Sequence, residues 1–288
     1  MWYDAAVRRL GWAVWERVPE RVRRVLRPAL AAFRRSRRKH TPLPVGPPPA
    51  LPADAVELDT AIGTLWFDRA DEHLTPWIRS QGIWEADVMK MLARFLEPGS
   101  LFVDVGANVG YHSLFAAQLG AHVVAVEPVP WTLELLRANV WRHGADVEVV
   151  DAAASDAAGT VWIAIDPAHR SGAQIGDQGV EVRAAPLDEL VPEGAVDVLK
   201  VDVEGAEPQV LRGASAILER GPVAAAIVEF RNGPHAGGEA PADVLRFYES
   251  LGFELCLLHR NGELEPSTRA AVLERARNLP SLNLVLRR

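Results

Sequence analysis

From residue 56 onward the spacing of apolar positions switches repeatedly between a period of two and one near 3.6. VELDTAIGTLWFD (56–68) alternates apolar and polar residues on either side of Gly63, which predicts a short hairpin with its turn there. WEADVMKMLARFLEPG (84–99) carries its apolar residues at helical spacing and stops on Pro98 and Gly99, so it predicts an amphipathic helix. Apolar runs at 101–105, 122–127, 146–150, 196–201 and 223–229 read as strands, with helical stretches between them that include 131–142 and 205–219. Such alternation predicts a mostly parallel sheet covered on both faces. Ligands in open sheets of this kind bind at the carboxyl ends of the strands, where the strand order reverses.

The first 40 residues follow a different rule. Tyr3, Val7, Leu10, Val14 and Val18 recur at helical spacing, and Val22, Val25, Leu26, Ala29, Leu30 and Phe33 do so again after Pro19, which predicts two amphipathic helices. Twelve Lys and Arg stand there against three acids, a balance of +9, while the rest of the chain carries −16. TPLPVGPPPALP (41–52) separates the two parts as a proline-rich linker that forbids a continuous helix. The expected organisation is a basic arm (1–40), the linker (41–52) and an α/β domain (53–288). A basic amphipathic arm suits its own domain, a dimer mate through Trp2, Trp12 and Trp15, or an anionic membrane surface. Nucleic acid is disfavoured as a partner, because the acidic body repels phosphate.

With 49% hydrophobic residues the chain can bury a full core. The single cysteine, Cys256, excludes an intramolecular disulfide framework and leans toward a reducing cytoplasm. No run of apolar residues is long enough for a signal-peptide core or a membrane span.

The candidate chemistry begins at LFVDVGANVG (101–110), a strand entering a tight turn and a helix. A dinucleotide loop needs a glycine where this chain has Asn108, so a bound pyrophosphate is disfavoured. Gly106 and Gly110 still let a compact ligand lie against the backbone. Glu127, twenty-one residues after Gly106 and at the end of the next strand, is placed to accept both hydroxyls of a ribose. A nucleoside without phosphates meets both conditions. S-adenosylmethionine is such a ligand, with Asp104 near its amino-acid portion or a bound water.

FVDVGANVGYHSLFAAQLG, VVAVEPVP and above all VLKVDVEGAEPQVLRGA (198–214) resemble the FkbM family of S-adenosylmethionine-dependent methyltransferases. The resemblance covers roughly residues 83–230. It implies the Rossmann-like class I methyltransferase fold, a seven-stranded mostly parallel sheet with an antiparallel last strand, and FELCLLH and LNLVLRR as the closing strands. It assigns the cofactor loop to Asp104, Gly106, Ala107, Asn108 and Gly110, the ribose to Glu127 with Pro128 beside it, and the adenine to the segment containing Ala153. Pro186, where many relatives have threonine, is a local departure.

Catalytic candidates concentrate on Asp202, Glu204 and Glu229, with Lys200 and Glu207 open to a purely structural ion pair. Methyl transfer is an in-line displacement, so much of its acceleration comes from positioning. A carboxylate there orients an acceptor hydroxyl or takes its proton, provided that its pKa is raised by burial or by other acids. Alternatively the same acids, hard oxygen ligands, hold magnesium. His112 is a further candidate base if the loop helix begins near Asn108. Glu85 and Trp84 belong to a covering segment, and His259 and Arg260 to an acceptor wall. The expected activity is S-adenosylmethionine-dependent O-methylation of a small-molecule hydroxyl on a sugar, polyketide or related secondary metabolite. Transfer to nitrogen or a carboxylate, or a non-catalytic cofactor-binding module recruited by its arm, are the other readings.

Overall fold

The computed structural model of the protein describes residues 47–221, 223–233 and 235–288. The basic arm and residues 41–46 of the linker lie outside the described residues, and residues 47–52 contain no helix or strand. The first hairpin forms where its alternation places it, β1 (Ala55–Thr60) against β2 (Gly63–Asp68). Two helices follow, α1 (Leu74–Gln81) and α2 (Ala86–Phe95), the second burying Val88, Met89, Met91 and Leu92 at helical spacing.

The α/β core then runs β3 (Leu101–Val105), α3 (Tyr111–Leu119), β4 (His122–Val126), α4 (Pro130–His143) and β5 (Val147–Val150). An insertion follows: β6 (Ala153–Ser155), β7 (Gly159–Asp166), β8 (His169–Gly176), β9 (Val180–Pro186) and the single turn α5 (Leu187–Leu190). The core resumes with β10 (Val198–Val201), α6 (Glu207–Arg212), α7 (Ser215–Arg220), β11 (Ala225–Arg231), α8 (Pro241–Ser250) and β12 (Glu254–Leu258). It closes with β13 (Leu264–Pro266), α9 (Arg269–Ala276) and β14 (Ser281–Arg287).

The main sheet has the order β13-β12-β14-β11-β10-β3-β4-β5. Strands β3, β4, β5, β10 and β11 are parallel neighbours, and β14 inserts antiparallel between β11 and β12. This is the class I methyltransferase arrangement, with one short strand beyond the seven expected, β13, added antiparallel at the β12 edge. Consecutive residues of the central strands enter opposite cores. Val103 and Val105 join one buried cluster with Leu199 and Val201, while Phe102 joins the other with Val123 and Val198. Burial on both faces explains why these strands read as apolar runs without alternation. The strand order reverses between β3 and β10, and the glycine loop leaves the sheet there.

One expectation needs correction. The helix expected over 205–219 is two short helices, because Asp188 accepts hydrogen bonds from the backbone N–H groups of Ala216 and Ile217, both at 2.8 Å, and so caps a new helix start. Gly213, at the break, passes so close to the Ser155 carbonyl that a Cβ would overlap it. Residues 159–186 form most of a separate four-stranded sheet of order β6-β9-β7-β8.

Candidate active site

The end of β3 turns sharply. Gly106 adopts φ 76°, and a Cβ on it would strike the main-chain carbonyl of Asp202, so the loop lies against the end of β10. Asn108 adopts φ 52°, a conformation that Asn tolerates better than most residues. Its Oδ1 accepts from the Val109 N–H at 2.7 Å. The α3 helix begins at Tyr111, with Gly110 at its N-cap.

Glu127 follows β4 and is 5% exposed. Its two oxygens accept the backbone N–H groups of Asn108 and Val129, each at 2.9 Å, which locks the carboxylate beneath the loop and leaves lone pairs for two hydroxyls. Burial pushes its pKa up to about 7, against the pull of those two amides.

A cleft of about 640 Å³ opens at these strand ends. Among the candidate residues it is lined by Gly106, Asn108, Glu127, Pro128, Ala153, Asp202 and Glu204. Its roof is the β7–β8 hairpin, which contributes Ile163, Arg170, Ser171, Ala173 and Ile175. The hairpin is fastened at several points: the Ser171 N–H donates to Asp71 at 2.7 Å, Arg170 pairs with Asp68 at 3.2 Å, and the Asn108 side-chain amide reaches the Ser171 carbonyl at 3.4 Å. Sequence reasoning missed this roof, because β8 (HRSGAQIG) is short of apolar residues and gives only Ala173 to a small apolar cluster.

The remaining candidates lie elsewhere. Ala107 sits below the loop in a small core with Ala125, Leu133 and Leu136. Asp104, 1% exposed, accepts from the Ser113 hydroxyl at 2.6 Å and faces Lys200 at 3.7 Å, with its Oδ1 lacking a hydrogen-bond partner. His112 does not face the cleft. The helix starts three residues later than that expectation required, and the imidazole Nε2 points to Glu85 at 3.6 Å. Burial and then the charge on Lys200 hold its pKa well below the ordinary imidazole range, so it is neutral.

The expected Lys200–Glu207 pair does not form. Lys200, 2% exposed, bonds Asp202 at 3.0 Å. Burial opposes its charge, but Asp202, Asp104 and Glu85 together outweigh that and raise its pKa. Glu207, fully buried, accepts from the Val203 and Gly205 N–H groups and faces His235 at 3.6 Å. Glu204, in a left-handed turn before α6, pairs instead with Arg231, which also holds Glu229 at 3.1 Å. Glu229 carries a pKa raised to about 8, by burial first and then by Asp202. His259 bonds Glu265 at 2.7 Å and the Arg260 carbonyl accepts from Lys90, and neither residue lines the cleft.

Asp202, Glu204 and Glu229 offer oxygens within 4.8 Å of one another, as a divalent metal would require. Lys200 and Arg231 already engage all three, so the group fits a metal poorly. The cleft fits a nucleoside carrying positive charge. Glu127, Pro128 and Ala153 line it together with the carboxylates of Asp202 and Glu204, so negative charge surrounds whatever binds there.

A sheet of this order, with a glycine turn after its first core strand and a buried acid after the second, defines a class I methyltransferase. The family model of the methyltransferase FkbM domain matches residues 104–255, and the chain belongs to that family. Membership implies S-adenosylmethionine as methyl donor. The chain is 32% identical over 184 residues to the hexuronic acid methyltransferase AglP of Haloferax volcanii, covering 62% of this chain and 74% of that protein. It is 32% identical over 157 residues to the 31-O-demethyl-FK506 methyltransferase FkbM of Streptomyces tacrolimicus, covering 41% of this chain and 60% of that protein. Among solved structures, a methyltransferase FkbM from Methylobacillus flagellatus superposes with a TM-score of 0.45 at 16% identity, over 74% of this chain and 46% of that one.

Proposed function

We propose that this methyltransferase transfers the methyl group of S-adenosylmethionine to a hydroxyl oxygen of a small molecule, a sugar, a polyketide or a related secondary metabolite. The observation that supports the reading is the cleft itself: the buried acid Glu127 lines it together with Asp202 and Glu204, beside which Glu229 stands, a set of carboxylates suited to a ribose and a cationic donor. The acceptor class is taken from two relatives, one named for a hexuronic acid and one for 31-O-demethyl-FK506. Bound S-adenosylmethionine supplies an electrophilic methyl group on a sulfonium. Glu127 and the glycine loop fix the nucleoside, Asp202 stays oriented by Lys200, and the hairpin roof excludes water.

The test is incubation with methyl-tritiated S-adenosylmethionine and a panel of hexuronic acids, their methyl glycosides and an O-demethylated macrolide. The expected product is a base-stable methyl ether, formed equally well in EDTA because Lys200 and Arg231 occupy the acids a metal would need. Transfer to none of these acceptors, or a base-labile methyl ester, would overturn the reading.

For residues 1–40 we propose peripheral contact with an anionic membrane, on the strength of their +9 balance and amphipathic spacing. Vesicles rich in phosphatidylserine should pellet the full chain and fail to pellet a chain lacking residues 1–46. Sedimentation that instead showed the deletion halving the particle mass would assign the arm to a homodimer.

A further inference from the structure

The turn that joins β10 to α6 lines the cleft with Asp202, Val203, Glu204 and Ala206. Its backbone is unusual. Glu204 adopts φ 59° and Gly205 φ 109°, two positive angles in succession, and the first falls on a residue with a long side chain. Such conformations persist only where the surroundings hold them, and they cluster at functional sites. Here the holding group can be named. Glu207, the first residue of α6, turns its carboxylate back over the turn, and one oxygen accepts from the Val203 N–H at 3.1 Å and the Gly205 N–H at 3.0 Å. Those two amides flank Glu204. Backbone N–H groups that converge around a left-handed residue make a concavity suited to an anion, and in this protein the chain itself supplies the anion.

The carboxylate is buttressed in its turn. Its second oxygen faces the His235 Nδ1 at 3.6 Å, and both side chains are closed to solvent. Among the described residues neither that oxygen nor either imidazole nitrogen has a hydrogen-bond partner, which leaves them facing each other. The backbone beside His235 is tied to the same turn: the Ala236 N–H donates to the Gly205 carbonyl at 2.9 Å, and the Gln209 side chain donates to the Ala236 carbonyl at 2.5 Å. Arg231, at the end of β11, meanwhile grips Glu204 and Glu229. Glu204 is thus held twice, by Glu207 through the backbone on either side of it and by Arg231 through its side chain. The Asp202 carbonyl lies so close to Gly106 that a Cβ there would overlap it, so the turn also abuts the glycine loop.

We propose that Glu207, backed by His235, is a positioning residue for methyl transfer: it holds the 203–205 turn in the shape that presents Asp202 and Glu204 to the cleft. It touches neither reactant and acts through the two amides. The proposal rests on the O-methyltransfer reading above. Group transfer is sensitive to placement, since an error of about 1 Å costs on the order of a hundredfold in rate. A relaxed turn would move both carboxylates and the wall on which Gly106 rests.

Two measurements on the full-length protein test this, and the first needs no acceptor. Amide hydrogen exchange over residues 199–206 is compared in wild type, Glu207→Gln and Glu207→Ala. Glutamine keeps an oxygen for both amides and alanine keeps none. Exchange at Val203 and Gly205 should be at least about tenfold faster in Glu207→Ala and near wild type in Glu207→Gln, with β3 and β4 unchanged in both. If Glu207→Ala fails to fold, Glu207→Asp, one methylene too short to reach both amides, takes its place. Equal protection of the two amides in every variant overturns the proposal.

The second measurement follows kcat and KM on the acceptor that the panel identifies, with S-adenosylhomocysteine affinity by calorimetry. Glu207→Ala should lower kcat per folded molecule by about a hundredfold with acceptor KM within about fivefold of wild type, and Glu207→Gln should rescue most of the loss. A merely structural role reduces the amount of folded enzyme and leaves each folded molecule intact. It therefore predicts wild-type kcat per folded molecule in Glu207→Ala, and that result also overturns the proposal. If wild type methylates nothing in the panel, the O-methyltransfer reading fails on its own account, while the exchange data still decide whether Glu207 holds the turn.

Discussion

Asn108 stands where a dinucleotide loop carries glycine, and its side chain accepts from Val109 and reaches across to Ser171. Asn108 thereby helps fasten the roof of the cleft. Glu127 is the acid we propose for the ribose. Both of its oxygens are spoken for by backbone amides, so the carboxylate cannot rotate away, and on the proposed reading two ribose hydroxyls would add charge-assisted bonds at no cost in side-chain order. Glu127→Ala should therefore weaken S-adenosylmethionine binding by about 3 kcal/mol or more, roughly a hundredfold, in a calorimetric titration. An unchanged affinity would sink the ribose assignment. Asn108, Gly106 and Glu127 were legible in the sequence because a fixed spacing on a strand–turn–helix carries their roles. Arg231 and Asn283 were not, since each takes its meaning from a partner far away in the chain: Glu204 for one, Glu85 for the other.

Among the elements, the β7–β8 hairpin is the one that the apolar pattern failed to announce. Ile163 and Ile175, in register, both line the cleft, with Ile163 buried and Ile175 as well as Trp162 exposed. The hairpin packs only a small apolar cluster, Ile163 and Ala173 with Val129, Val182 and Ala184, so it carries no long apolar run. Asp71 fastens it. One oxygen accepts from the His73 and Leu74 N–H groups at the start of α1, the other from the Ser171 N–H of β8. Burial alone would raise the Asp71 pKa, but these bonds, Ser171 foremost, bring it below its ordinary value. Asp71→Ala removes all three acceptor contacts and should destabilise the protein by about 2–4 kcal/mol in thermal unfolding, with cofactor dissociation at least about tenfold faster by stopped flow. Arg170→Ala, which loses a partly exposed ion pair, should cost no more than about 1 kcal/mol. Equal effects from the two substitutions would deny Asp71 its part in holding the roof.

For the whole molecule, the acidic cluster leaves a signature in stability. Burial is the first cause of the raised pKa values of Glu85 and Glu127, both about 7, and of Glu229, about 8. Each of these groups binds a proton in the folded state over a pH range where the unfolded chain has already lost it, so the folded state is favoured at low pH and loses that advantage as pH rises. The ligand-free protein should melt at a lower temperature at pH 8 than at pH 5.5, and saturation with S-adenosylmethionine, which brings positive charge to the cluster, should narrow the difference. A melting temperature that climbs steadily from pH 5.5 to pH 8 would contradict the electrostatics described here.

The sequence by itself determined the strand–helix alternation, the parallel core, the place of the cofactor loop and its acid, and through VLKVDVEGAEPQVLRGA the family. Those features are local: periodicity, turn chemistry and fixed spacings express themselves within a few residues or across one strand–turn–helix unit. Tertiary structure alone decided which carboxylates are neutralised. It turned His112 inward to Glu85, gave Glu204 to Arg231 and Glu207 to backbone amides and His235, and folded residues 159–186 into the sheet that roofs the cleft. The physical reason is that a carboxylate's charge state and reach depend on burial and on neighbours brought together across the chain, as with Glu85 and Asn283, 198 residues apart, which no local pattern encodes.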